Sequence, residues 1–306
     1  MEKKVFKKKF GYTKTEKRRA LTGLLFLLPW IVGISIFFIR PIIQTFIYSV
    51  NDISNTGGGF AYDFIGFDNY HKLLFENAEF IPKFVDSIWD MLQSVPVIVF
   101  FSFFTAIVLK NKFFGRTTFR AIFFMPVIIA SGVVITVLKE NVMAVDITSS
   151  AVSQSASIFS APSFAEIFAN LSVPQQLLNF ITDVVNKIFD LTWKSGVQIL
   201  LLLAAVNSIP ASAYEASDIE GATGWEKFWK ITFPLITPTL LVTVIYTIID
   251  TFTDYNNEII QMIRKFFVDN QLGLSSAVGF VYFLAILVII GIFYAIMSRF
   301  VFFENN

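Results

Sequence analysis

The polar residues of this 306-residue chain that could do chemistry gather in three places. Between positions 231 and 257, Thr243, Tyr246, Asp250, Thr253 and Asn257 recur at i, i+3, i+7, i+10 and i+14, one face of a helix. Hydroxyl, carboxylate and aromatic ring on one face offer directional hydrogen bonds plus stacking, which suits a polyhydroxylated solute. Upstream, Asp190, Trp193, Lys194 and Gln198 follow a similar spacing. Asp190 and Lys194 read equally as an i,i+4 ion pair at the outer membrane boundary, and Gln198 and Asn207 as groups that hydrogen-bond between helices. The third place is Tyr214–Pro234, a polar island rich in possible helix caps. Enzymatic centres are scarce. With no cysteine there is no disulfide, thiolate ligand or cysteine nucleophile. The single histidine, His71, rules out a multi-histidine metal site, and no paired intramembrane acids occur.

These groups must be carried by membrane helices. The chain is 55% hydrophobic and only 15% charged, where a soluble domain carries about a quarter charged residues. No charge falls in Ala20–Ile39, Met91–Leu109, Ala121–Leu138, Ser195–Tyr214, Ile231–Ile249 or Asn270–Ser298. Each run approaches or exceeds the roughly 20 residues that cross the hydrocarbon. Ile147–Ala165 is also uncharged, but seven serines and Pro162 make it an external loop. The expectation is an all-α integral membrane protein with six spans, near 21–48, 90–110, 118–138, 193–210, 234–253 and 279–302. Together they form one domain (21–302) behind a basic segment (1–20). The first apolar run is the first span rather than a cleaved signal, having no small-residue cleavage site after it.

Charge fixes the orientation. Residues 1–20 hold nine of the 24 Lys and Arg, and placing them inside also puts Lys110, Lys112, Arg116, Arg120, Lys227, Lys230 and Arg299 inside. Sixteen basic residues then face the cytoplasm, as the positive-inside rule requires. Both termini and the polar island are expected there, while 51–89, 139–194 and 253–278 lie outside. Within the second of these, Leu177, Leu178, Ile181, Val184, Val185, Ile188 and Phe189 mark an amphipathic helix leading to span four. Arg40 snorkels to the headgroups.

The island itself reads as two short helices. Ser212-Ala213-Tyr214-Glu215 and Thr223-Gly224-Trp225-Glu226 both fit a capping box, and Gly221 between them suits a helix C-terminus. Trp225, Phe228, Trp229 and Ile231 give the second helix an apolar face to pack under the bundle, and Pro234 and Pro238 start span five. Such a pair can be a plain interfacial connector between spans, or a surface that touches a partner.

The string Ile209-Pro210…Tyr214-Glu215-Ala216-Ser217…Gly221-Ala222…Ile231-Thr232-Phe233-Pro234 resembles the EAA loop of binding-protein-dependent ABC transporter permeases. Ser217, Glu220 and Phe233 depart from the usual Ala, Asp and Leu without changing the spacing. Leu28-Pro29…Arg40-Pro41, Ile65-Gly66-Phe67-Asp68-Asn69-Tyr70, Arg120…Met125-Pro126 and Leu203-Ala204-Ala205 resemble further elements of the carbohydrate-uptake branch, the maltose and glycerol-phosphate type.

That resemblance implies a permease subunit in the bacterial cell membrane, importing a sugar or oligosaccharide by alternating access. Its coupling loop, 211–232, would seat Tyr214, Glu215, Ala216, Ser217, Gly221 and Ala222 against a separate ATPase. No G-x-x-x-x-G-K-[ST] string occurs, so ATP and magnesium belong to that partner and this chain binds no cofactor of its own. The implied partners are a second homologous permease making a heterodimer, two ATPase subunits, an extracellular or periplasmic solute-binding protein, and lipid, with no nucleic acid. By the same resemblance, Asp190, Trp193, Lys194, Gln198, Tyr246, Asp250, Thr253 and Asn257 become candidates for the solute path. A permease of the same architecture for another solute, such as glycerol phosphate, and a stand-alone channel are the alternatives.

Overall fold

The computed structural model describes residues 14–55, 60–111, 113–130 and 175–301. They are mostly helical and fall into two compact units, residues 1–84 with 258–285, and residues 85–257 with 286–306. Most of the basic N-terminal segment, the serine-rich 147–165 stretch and the last eight residues of the expected third span, 131–138, lie outside the described residues.

In the first unit, α1 (Lys14–Ile34) passes through a π-helical turn (Ser35–Ile39) into α2 (Arg40–Ser49). Thr22–Ser49 is thereby one apolar helix of 28 residues. Its large side chains, Phe26, Trp30 and Phe37 among them, are exposed along its length. A surface this apolar is stable in hydrocarbon and not in water.

The described residues are mostly helical, as expected, and depart from helix in a short ribbon just after this helix. β1 (Asn51–Asn55) and β2 (Phe60–Phe64) form an antiparallel ribbon in the register Asn51↔Phe64 and Ile53↔Tyr62. The alternating aromatics Phe60, Tyr62 and Phe64 are the period-2 signal for it. Next come α3 (Asp68–His71) and a π turn (Lys72–Glu76).

Buried Asn69 ties these pieces together, its Nδ2 donating to the Ser49 and Asn51 carbonyls at 2.9 and 3.1 Å. The Tyr70 hydroxyl meets Ser49 Oγ at 2.6 Å. Also in this unit are α11 (Glu258–Val268) and the start of α12 (Leu272–Met297). At Gly273 a Cβ would lie 2.5 Å from the Asn51 carbonyl oxygen and 2.7 Å from Asn69 Nδ2, so the position admits only glycine. α11 ends through Asn270, at φ 57°, with Gln271 N donating to Phe266 O at 2.8 Å. This early stop starts the final helix at Leu272, well before the expected 279.

The helix that carries the expected second span, α4 (Phe80–Lys110), starts ten residues upstream of that apolar stretch. Asn77 Oδ1 accepts from the backbone N–H groups of Glu79 and Phe80 at 3.0 and 3.1 Å, a side-chain cap that fixes the helix start upstream of the apolar run.

The second unit holds the rest of α4, α5 (Arg116–Ala130), α6 (Gln175–Lys194), α7 (Gly196–Ser208), the short helices α8 (Ala211–Ile219) and α9 (Gly224–Lys227), and α10 (Phe233–Thr253). α6 is the expected amphipathic helix. It meets α7 at a 56° bend where buried Ser195 returns its hydroxyl to the Leu191 carbonyl. Two apolar clusters hold this unit. Ala106 and Leu109 of α4 pack on Ile199, Leu202 and Leu203 of α7. Ala205, Val206 and Ile209 pack on Ile236, with Phe103, Tyr214 and Ile231 around them.

Among the described residues, four helices are long and apolar enough to cross a membrane, Thr22–Ser49, Phe80–Lys110, Gly224–Thr253 and Leu272–Met297. The bent α6–α7 pair makes a fifth if it is one broken span.

Candidate functional site

The polar island forms two helices, as the sequence predicts, but their starts differ in chemistry. α8 begins directly after Pro210 (φ −58°, ψ 137°) and has no side-chain cap, so the Ser212–Glu215 capping box does not form. A residue before proline is pushed out of the α region. Ile209 is extended (ψ 123°), which sets the break at 209–210 and leaves Ser212 already inside the first turn. The second box does form. Glu226 N donates to Thr223 Oγ1 at 3.3 Å, and Thr223 N to Glu226 Oε2 at 3.0 Å.

Between the two helices, Gly221 takes φ +75°. Ala222 N donates to Ser217 O at 2.9 Å and Gly221 N to Asp218 O at 3.1 Å, the paired bonds of a Schellman end. Lys227 of α9 reaches back to Asp218 of α8 as an ion pair, and Lys230 bonds Glu226 at 3.2 Å. The turn is thus held by a backbone motif and a salt bridge across it.

This rigid pair divides its side chains. Glu215, Ala216 and Gly221 are exposed, and Ile219 at 89% is nearly bare. Ser217 is buried, its hydroxyl donating to the Tyr214 carbonyl at 2.6 Å. Ala222 is half-buried. Tyr214 turns inward, its ring against the Ala205–Ile236 cluster. Its hydroxyl accepts from Lys110 Nζ at 2.8 Å and meets Thr232 Oγ1 at 2.9 Å, while the Lys110 ammonium sits 4.0 Å from the ring centroid. Sequence reasoning missed Lys110. Its partner lies 104 positions away, and no local pattern links them. The aromatic face behaves only partly as expected. Phe228 stacks towards Phe103 at 5.9 Å, but Trp225 and Trp229 are exposed. Exposed tryptophans on a polar segment beside a span suit the membrane–water interface.

At the other end of α10 the candidates part company. Lys194 pairs with Asp254 at 2.7 Å, not with Asp190, which is exposed. Asp254 breaks the helix (ψ 135°) and also accepts from Asn256 N at 2.9 Å, so it is held in place to receive the lysine. The i,i+4 reading fails because an ordered carboxylate from another element outcompetes a solvated one on the same helix. Trp193 stacks on Phe189 with centroids 5.8 Å apart. α10 ends at Thr253, so Asn257 leaves the helical face and donates to Ser87 Oγ at 2.8 Å. Thr253 is exposed and bonds the Ile249 carbonyl at 2.8 Å.

Gln198, Asp250 and Lys194 do come together, with Asp254 beside them. Gln198 is fully buried, its amide turned to Asp250 without a hydrogen bond of ordinary geometry. Tyr246 and Asp250 are half-buried one turn apart. The deeply buried polar row of α10 is a different one. Thr243, Thr247 and Thr251 each bond the carbonyl four residues back, at 2.7 to 2.8 Å, and so satisfy themselves without a partner.

No family model matches the sequence. Relatives nonetheless run along most of it. A probable ABC transporter permease protein, YesP of Bacillus subtilis, is 23% identical over 307 residues, 94% of this chain and 92% of that protein. The trehalose/maltose transport system permease protein MalF of Thermococcus litoralis is 28% identical over 245 residues, 78% of this chain and 76% of its own length. Among solved structures, a chain of a bacterial alginate ABC transporter, crystallised with a pentasaccharide-bound periplasmic protein, matches with a TM-score of 0.60 at 18% identity. That match covers 94% of this chain and 97% of the other. Its likeness is one of fold. Sequence relatives and apolar helices together make this chain an ABC transporter permease, a multi-pass protein of the bacterial cell membrane.

Proposed function

We propose that the chain is one transmembrane subunit of a sugar or oligosaccharide importer, with six spans and both termini in the cytoplasm, paired with a second homologous permease. A separate ATPase dimer drives it through the 211–232 loop, and a solute-binding protein delivers the cargo outside. ATP and magnesium stay on the ATPase. The observation that carries this reading is the α8–Gly221–α9 pair. A merely connecting loop needs no exposed face on so rigid a frame, whereas a part that receives force must be stiff inside and bare outside. The bare face is Glu215, Ala216, Ile219 and Gly221. The sugar names of the relatives support the cargo class, as does the group of half-buried Tyr246 and Asp250 with buried Gln198, which offers ring and hydrogen-bonding atoms side by side.

Extraction in a mild detergent is the first test. The tagged chain is expected to bring down an ATPase and a second permease in fixed ratio, and the reconstituted assembly to accumulate a labelled oligosaccharide only with ATP inside. A chain that purifies alone, and carries solute without ATP, overturns the importer reading in favour of a channel.

A further inference from the structure

The second unit offers a connection that neither the motif nor the proposed loop function requires. Tyr214, like Ser217, turns away from the exposed face of α8, and three elements meet on it. Its ring lies in the apolar cluster of α7 and α10. Its hydroxyl touches Thr232, the residue preceding α10, at 2.9 Å, and Thr232 in turn reaches the Lys227 carbonyl at 3.4 Å. Its third neighbour is Lys110, the last residue of α4, which donates to the hydroxyl at 2.8 Å and lies 4.0 Å from the ring centroid. Among the described residues Lys110 has no carboxylate within 4 Å, although Lys227 and Lys230 of the loop each hold one. Its charge is therefore given to a phenol, by hydrogen bond and cation–π contact together.

We infer that Lys110 is a positioning residue for coupling: through Tyr214 it fastens α8 to the end of α4, so that a push on the loop moves α4 together with α10. A lysine placed for bundle stability alone would be matched with an acid. A lysine on a phenol can let go into water at modest cost, because an ammonium is strongly hydrated. The contact is then able to break and re-form in each transport cycle. Contact of the ring with the Val206–Ile236 cluster carries the motion into α10 and α7, and the Lys110 bond adds a polar link to the end of α4, whose Phe103 also packs on Phe228 and Phe233.

The inference rests on the loop being the ATPase-coupling surface, and the test separates the two. In the reconstituted complex, Lys110→Gln and Tyr214→Phe are expected to leave assembly and ATP hydrolysis within twofold of the parent. Solute moved per ATP should fall about tenfold, the factor that one good hydrogen bond to a charged group supplies. Lys110→Arg should restore most of it, since a guanidinium can make the same two contacts. The double variant should be no worse than either single, because both remove the same bond. Unchanged transport per ATP in Lys110→Gln, with transport abolished by Glu215→Lys, overturns the fastening role while the coupling loop stands. Transport retained in both variants overturns both. If Lys110→Gln fails to assemble, Tyr214→Phe, which keeps the ring in its cluster, decides alone by the same ratio.

Discussion

The two ends of α10 solve opposite problems. At the loop end, polar groups are plentiful and most are answered locally: Thr223 by Glu226, Asp218 by Lys227, the α8 carbonyls by the Gly221 turn, with Lys110 on Tyr214 as the long-range exception. What remains outward is bare and rigid. At the far end, polar groups are few and half-buried, and they are answered at long range, Lys194 by Asp254 and Asn257 by Ser87. Gln198 is left with an amide that faces Asp250 and bonds nothing in ordinary geometry. Stiffness at one end and unspent hydrogen-bonding capacity at the other is the contrast expected of a part that receives force and a part that meets cargo.

The largest effect should come from the bare face. Glu215→Lys reverses the one charge on it beside Ala216, and Gly221→Pro demands φ near −65° where the turn needs +75°. Either should abolish ATP-driven uptake in vesicles while insertion and protein level stay normal. Uptake at parental rates in both variants breaks the contrast at its stronger end.

The Lys194–Asp254 pair tests the other end. Lys194→Met leaves a carboxylate that is only 21% exposed without its partner, at a cost of about 1–2 kcal/mol for a pair between surface and core. The apparent Tm of the detergent-solubilised complex should fall, and Lys194→Met with Asp254→Leu should recover it. A stable double variant that still imports at the parental rate assigns the pair to scaffolding. One that is stable and silent places it on the solute path.

How much of this was legible before the structure depends on the range of each interaction. Helices, the Gly221 turn and the Thr223 box follow from residues within four positions of each other, and the sequence shows them. The α6 helix is legible for the same reason. The Ser212 box was misread because two local rules compete there, and the restriction imposed by Pro210 wins over a serine one turn too late. Lys110 on Tyr214 and Lys194 on Asp254 join positions 104 and 60 apart, and no spacing rule reaches that far. The β1–β2 ribbon was in the alternating aromatics but was hidden by the composition, which argues for helices everywhere else. Thr247 and Thr251 escape a sequence reading because hydroxyls that bond their own helix give no outward sign, and Thr243, read as part of the Tyr246–Asp250 face, belongs to their row.

The smallest prediction separates the two capping boxes on the same loop. Thr223→Ala removes an acceptor used by Glu226 N and a hydroxyl bonded to Glu226 Oε2, and should cost about 1 kcal/mol, the usual worth of an N-cap. Ser212→Ala should cost under about 0.5 kcal/mol, because Ser212 caps nothing. Hydrogen exchange of the 211–232 amides in the intact complex can read both. Faster exchange at 224–227 in the threonine variant, against unchanged exchange at 211–219 in the serine variant, is the expected pattern. Equal loss of protection in both would mean that Ser212 does cap α8. The break between α7 and α8 would then be set by the serine rather than by Pro210, and α8 would begin a residue or two later. That shift would turn Tyr214 off the Lys110 ammonium, so the smallest measurement also bears on the fastening of the loop to α4.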